Sequence, residues 1–220
     1  MAILSSSIAR KVAMALSGLF LVFFLAQHFT INITSVIDPD TFNSWSEFMG
    51  TNGVVQFILQ PILIFGVVFH FIMGIVLEIR NNNARQIKYK SFKGNKNSSW
   101  ASRNMIISGL VILAFLGLHF YDFWVPEITN KYINVIPDDP THYYTELVHK
   151  FGNPVRVGLY CLAFILLALH LWHGFSSSFQ SLGWNNKYSK GLRGFTKFYA
   201  IFIPLGFIFI ALYLHLNQIH

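Results

Sequence analysis

Four histidines, His28, His70, His119 and His170, lie deep inside long uncharged, apolar stretches of the chain. An ionisable side chain at the centre of a hydrocarbon layer costs about 2.5–3.5 kcal/mol on insertion scales, so each is a functional candidate by default. A lone imidazole could simply bond across to a neighbouring helix. Four of them, one in each of four successive stretches, point to metal ligation. No carboxylate shares those stretches, and the single cysteine, Cys161, rules out a disulfide framework or a thiolate metal site. Cys161 reads as a small apolar filler. Two facing imidazoles with no other donor suit six-coordinate haem iron better than structural zinc, which takes four ligands at one level. His173 lies on the same helix as His170, about 60° away round the axis, and stays open as a substitute ligand. His142 and His149 read as solvated loop residues, and His215 and His220 as interface or tail residues.

Membrane helices must hold these side chains. The 220 residues are 54% hydrophobic and 11% charged, with a mean hydropathy of +0.49. A soluble domain carries roughly 25% charged residues, so this chain cannot cover a water-facing surface. That excludes a soluble enzyme, a disordered chain and a nucleic-acid module. Uncharged runs cover 12–37, 48–77, 104–121, 157–186 and 198–220, and a spanning helix needs about 20 residues. The expectation is an all-α integral membrane protein, one domain over 1–220, with spans at about 12–37, 54–79, 104–124, 155–180 and 198–218. The first four would form a four-helix bundle enclosing two haems. The first run is too long for the core of a cleaved signal and lacks a small-x-small site after it.

Charge orients the spans. The net charge is +7, but it follows the membrane rather than a nucleic-acid face. Arg10, Lys11, Arg80, Arg85, Lys88, Lys90, Lys93, Lys96, Arg103, Lys187, Lys190, Arg193 and Lys197 fall on one side, against the single acid Glu78. Asp38, Asp40, Glu47, Asp122, Glu127, Asp138, Asp139 and Glu146 fall on the other. Lys and Arg excess marks the cytoplasmic face, so the N-terminus is expected inside and the C-terminus outside. Asp38-Pro39-Asp40 and Pro137-Asp138-Asp139-Pro140 read as turns of the outer loops. Trp45, Trp124, Tyr143 and Tyr144 near one face, with Trp100 and Trp184 near the other, form the expected aromatic belt. No loop is large enough to be a catalytic domain.

The chain repeats itself. Ser17-Gly18-Leu19 precedes His28-Phe29 in the same register in which Ser108-Gly109-Leu110 precedes His119-Phe120. His70-x-x-x-Gly74 and His170-x-x-x-Gly174 form a second pair. At 1.5 Å per residue, His28 and His119 lie roughly 25 Å from the inner edge and His70 about 15 Å from it. His170, on a helix entering from outside, falls in the same inner half as His70. Depth thus couples His28 with His119 and His70 with His170. Gly18, Gly109, Gly74 and Gly174 offer two readings: backbone clearance for a porphyrin, or close helix packing through small residues.

With Phe24-Leu25-Ala26-Gln27-His28, Phe69-His70, Gly117-Leu118-His119 and Leu169-His170 in five spans, the chain resembles a known family over essentially its whole length. That family is the di-haem cytochrome b subunits of succinate:quinone oxidoreductases and fumarate reductases, in the single-anchor type. Phe42-Asn43-Ser44 and the Phe179-Gln180-Ser181-Leu182-Gly183 exit belong to the resemblance. It implies an anchor in the bacterial cytoplasmic (inner) membrane for a flavoprotein (FAD) subunit and an iron–sulfur subunit. It further implies two haem b groups, the proximal on His70 and His170 and the distal on His28 and His119. The electron acceptor would be a quinone, most readily menaquinone. Some fumarate-reducing members carry a glutamate two residues before the fourth-span ligand. Ala168 occupies that position here, which favours succinate oxidation. The family's acidic quinone-site residue is best matched by Glu47, otherwise an ordinary outer-loop charge. Two other classes compete. Cytochrome b anchors of hydrogenase or formate dehydrogenase type would place ligands on fewer helices. A transporter with gating histidines would need broken helices or charges inside the spans.

Overall fold

The computed structural model describes residues 6–83, 104–135, 139, 141–184 and 189–218. Arg85 to Arg103 with Trp100, Lys187, His220 and all of the Pro137–Pro140 turn except Asp139 lie outside them. All regular structure among the described residues is helical. Five helices are long and apolar enough to cross a membrane, and this is a multi-pass membrane protein. They are α1 (Ser7–Ile37), α3 (Val55–Asn83), α4 (Met105–Asn134), α6 (Pro154–Ser181) and α7 (Ser189–Leu216). Two short amphipathic helices, α2 (Pro39–Thr51) and α5 (His142–Phe151), join them on one side.

Local chemistry explains where these helices begin and end. Asp38-Pro39-Asp40 is a helix start rather than a turn. The Asp38 side chain accepts from the Asp40 amide and Pro39 takes the first helical position, where a missing N–H costs nothing. Asn153 caps α6 in the same way, accepting from the amides of Val155 and Arg156 ahead of Pro154. The exit of α6 is a Schellman turn. Gly183 sits at φ 80°, its amide donates to Gln180, and the Trp184 amide donates to Phe179. The ring of Trp184 then stacks on that of Phe179, with centroids 5.5 Å apart. Only glycine takes that conformation without strain, which is why the chain can turn away from the membrane there.

Helix α4 runs further than the expected 104–124. Wide π-helical turns at Phe120–Trp124 and Asn130–Asn134 flank a short α segment containing Pro126, and the helix stops at Val135 in the left-handed region. Pro126 lacks the N–H that a regular helix would use, and the wide turn just before it absorbs the mismatch. Helix α7 likewise starts earlier than expected, at Ser189.

Packing is uneven. Only 6% of the most apolar stretch of α1 and of α3, and 11% of that of α4, is buried within the chain, against 28% in α6 and 44% in α7. The densest apolar cluster therefore lies between α6 and α7, around Phe164, Phe175, Ile203, Phe207 and Leu214. Ala200 and Ala211, both fully buried, let the two backbones approach. Tyr199 on α7 donates its hydroxyl to the Val22 carbonyl of α1 at 2.6 Å, closing the fifth span against the first. The fifth helix is thus part of the wall and no mere appendage to the other four.

Candidate functional site

The histidines come from four helices and meet in two pairs. His28 of α1 faces His119 of α4 with ring centroids 5.7 Å apart. His70 of α3 faces His170 of α6 with centroids 6.5 Å apart. Two imidazoles that bond one metal from opposite sides, with metal–nitrogen bonds of about 2.0 Å, have ring centres about 6 Å apart. The ring-centre separations of both pairs are close to that spacing. All four histidines are half-buried by the chain itself. Among the described residues no three His, Cys, Asp or Glu side chains converge on one point. His173, on the same helix as His170, is partly buried.

The surroundings of the two pairs differ. The His28–His119 pair is walled by rings. Phe24 stacks on His28 at 5.6 Å, Phe207 of α7 approaches it at 5.7 Å, and Phe123 lies 5.3 Å from His119. The Nδ1 of His119 is buried and has no hydrogen-bond partner. The His70–His170 pair is instead met by hydroxyls: Ser17 Oγ lies 3.0 Å from His70 Nδ1, and Ser108 Oγ lies 3.1 Å from His170 Nδ1. The internal repeat is therefore spatial. Each Ser-Gly pair of an odd span supports the histidine of the even span beside it.

The glycines follow the same rule. A Cβ on Gly18 would lie 3.3 Å from His70 Cε1, and one on Gly109 would lie 3.7 Å from His170 Cε1. Gly74 and Gly174 are covered by the methyl groups of Met14 and Met105, at 3.6 and 2.8 Å from an added Cβ. What each glycine meets is thus a side chain of a neighbouring helix, an imidazole at Gly18 and Gly109 and a methionine at Gly74 and Gly174.

Glu47 lies exposed on α2, where its carbonyl accepts from Thr51. Close by in sequence, Asn43 is buried and its side chain accepts from the Tyr144 amide at 2.8 Å, pinning α2 to α5. His142 is no free loop residue: its Nε2 lies 3.6 Å from Glu127 and 3.5 Å from Glu146. Burial pushes the Glu146 carboxyl above the ordinary carboxylate range, against the opposing pull of His142 and Lys150. His215 donates from Nδ1 to the Phe151 carbonyl at 2.8 Å, since a carbonyl oxygen can only accept. It ties the end of α7 to α5.

One cluster was not read from the sequence. Asp122, fully buried in the first π-turn of α4, takes Arg156 Nε at 3.1 Å and the Tyr160 hydroxyl at 2.9 Å on the same oxygen. Its other oxygen is buried without a partner. The available signal was an acid one turn beyond His119 and an Arg and a Tyr four residues apart on one face of α6.

Compared with protein-family models, curated proteins and solved structures, the chain matches none.

Proposed function

We propose that this chain is the membrane-anchor and electron-transfer subunit of a succinate:quinone oxidoreductase of the single-anchor, di-haem type. The observation that carries the reading is the meeting of four intramembrane histidines in two pairs at metal-bridging separation. His70 and His170 would hold the haem b nearer the cytoplasm, and His28 and His119 the outer one. When bound, haem supplies reversible one-electron chemistry whose potential is tuned by axial ligands and burial. The chain's own task is to hold each imidazole pair at fixed separation and to keep water from the outer pair with Phe24, Phe123 and Phe207. Such paired sites at two depths form a route for electrons through a layer that excludes charge.

In this reading the N-terminus faces the cytoplasm of a bacterium. A flavoprotein and an iron–sulfur subunit dock on the basic inner surface, from which Arg10, Lys11, Arg80, Lys190, Arg193 and Lys197 are described. Electrons pass between the iron–sulfur subunit and menaquinone, and Ala168 favours the direction of succinate oxidation. Isolation of the intact complex under mild detergent tests this. A flavoprotein and an iron–sulfur protein should co-purify, and succinate should reduce the haem. Reduction by hydrogen or formate, but not by succinate, would assign the chain to another class of membrane oxidoreductase.

Glu47 takes the role of proton-handling group for the quinone. Its exposed position on α2 lets it exchange protons with outer water. Glu47→Gln keeps size and hydrogen bonding but removes the exchangeable proton. Haem content should persist while quinone reduction falls at least about tenfold, a modest general acid–base effect. Unchanged succinate:menaquinone turnover would leave Glu47 an ordinary surface charge.

A further inference from the structure

We propose that Ser17 and Ser108 are positioning residues that fix the tautomer of His70 and His170, so that each ring offers its Nε2 lone pair to the metal. The inference rests on the haem reading above for its purpose, and the hydrogen-bond polarity rests on the backbone carbonyl that each hydroxyl also meets. A serine hydroxyl has one hydrogen and two lone pairs. Ser17 Oγ spends its hydrogen on the Met14 carbonyl at 2.9 Å. With that bond made, the contact at 3.0 Å to His70 Nδ1 runs from Nδ1–H to a hydroxyl lone pair, and this sense, unlike the reverse, lets all three groups bond at once. Ser108 repeats the arrangement, donating to Met105 at 2.9 Å and accepting from His170 Nδ1 at 3.1 Å. A neutral imidazole with its proton on Nδ1 keeps a free lone pair on Nε2, the form a metal binds.

Repetition strengthens the point. The same four-part device, Met–Ser–Gly on one helix and His on the next, is built twice at one level of the bundle. At Gly18 a side chain would press on the imidazole it faces, a Cβ there lying 3.3 Å from His70 Cε1, whereas at Gly109 the corresponding 3.7 Å is ordinary contact. The outer pair has no such device. His119 Nδ1 is unpartnered. The ring of His28 meets only a long contact from the Asn32 amide, 3.4 Å away on its own helix, and that group is a donor, the opposite sense.

Two measurements test the inference. The first is the histidine tautomer state of the haem-free chain in detergent micelles, read by nitrogen NMR at neutral pH. Two histidines should be in the Nδ1–H form, and Ser17→Ala or Ser108→Ala should each convert one of them to a mixture. The second is the potential of each haem in the intact complex. A ligand that donates from Nδ1 is more basic and favours ferric iron. Ser17→Ala or Ser108→Ala should therefore raise the potential of the inner haem alone and weaken its retention about tenfold. Ser17→Thr and Ser108→Thr, which keep the hydroxyl, should restore both readouts. Thr196→Val, which removes a buried hydroxyl touching no imidazole, should change neither. Wild-type tautomers and potentials in both alanine variants, or an equal shift of both haems, would overturn the proposal. A chain that binds no haem would sink the haem reading, while the tautomer measurement would still decide the role of the serines.

Discussion

His70→Ala and His170→Ala are expected to lose one and the same haem, and His28→Ala and His119→Ala the other, so that each variant retains one haem per chain. The effect is all-or-none because a bis-imidazole site with one ligand removed keeps no second protein donor at that level. No other His, Cys, Asp or Glu among the described residues converges on either pair. His173→Ala should retain both haems, since it is His170 whose ring faces His70 and whose Nδ1 meets Ser108. Haem quantification combined with redox titration of the four single variants and the two within-pair double variants checks this. The double variants should match the singles, because one lost ligand already abolishes the site. Loss of both haems in every variant, or a grouping of His28 with His70, would contradict the assignment.

Arg156→Leu is expected to destabilise the protein by about 2–3 kcal/mol, less than for a wholly buried ion pair because the Arg156 side chain is 27% exposed while Asp122 is enclosed. Asp122 is wholly enclosed, and both polar contacts fall on one of its oxygens. Without the guanidinium that oxygen keeps only the Tyr160 hydroxyl. Tyr160 also forms part of the ring wall beside His119, with centroids 6.4 Å apart, so the damage should reach the outer haem before the inner one. Arg156→Lys should not rescue, because the contact runs through Nε rather than a terminal ammonium. Unfolding in detergent micelles followed by circular dichroism gives the stability. Adding Asp122→Asn to Arg156→Leu should recover a substantial part of the loss. Strict additivity of the two changes would mean that the pair is not coupled.

Which parts of this architecture were legible in the sequence follows from the physics of each. Spans were legible because a helix in lipid needs about 20 uncharged residues and leaves that length in the sequence. The pairing of His28 with His119 and of His70 with His170 was legible because helix rise converts sequence distance into depth. The wall of α7 was not, since which face of an all-apolar helix meets its neighbours leaves no polar stripe to read. The Phe207 contact on His28 is of that kind. The Asp122–Arg156 pair was not legible, because each charge ends an apolar run and charge counting assigns such ends to a side of the membrane without showing what they meet on the next helix. The extra helix at Pro39–Thr51 was hidden by Asp-Pro, which serves a turn and a helix start equally well. The serines of the repeat were visible as letters. Their role was not, because a hydrogen-bond sense depends on the neighbouring helix.

The central claim is that four intramembrane histidines bind two non-covalent b haems. It is tested most directly by a pyridine haemochrome assay on the purified chain with protein quantified in the same sample. The expected result is two haem b per chain, both extractable by acidified solvent, since the chain has no Cys-x-x-Cys-His attachment site. One haem per chain, or none, would contradict it.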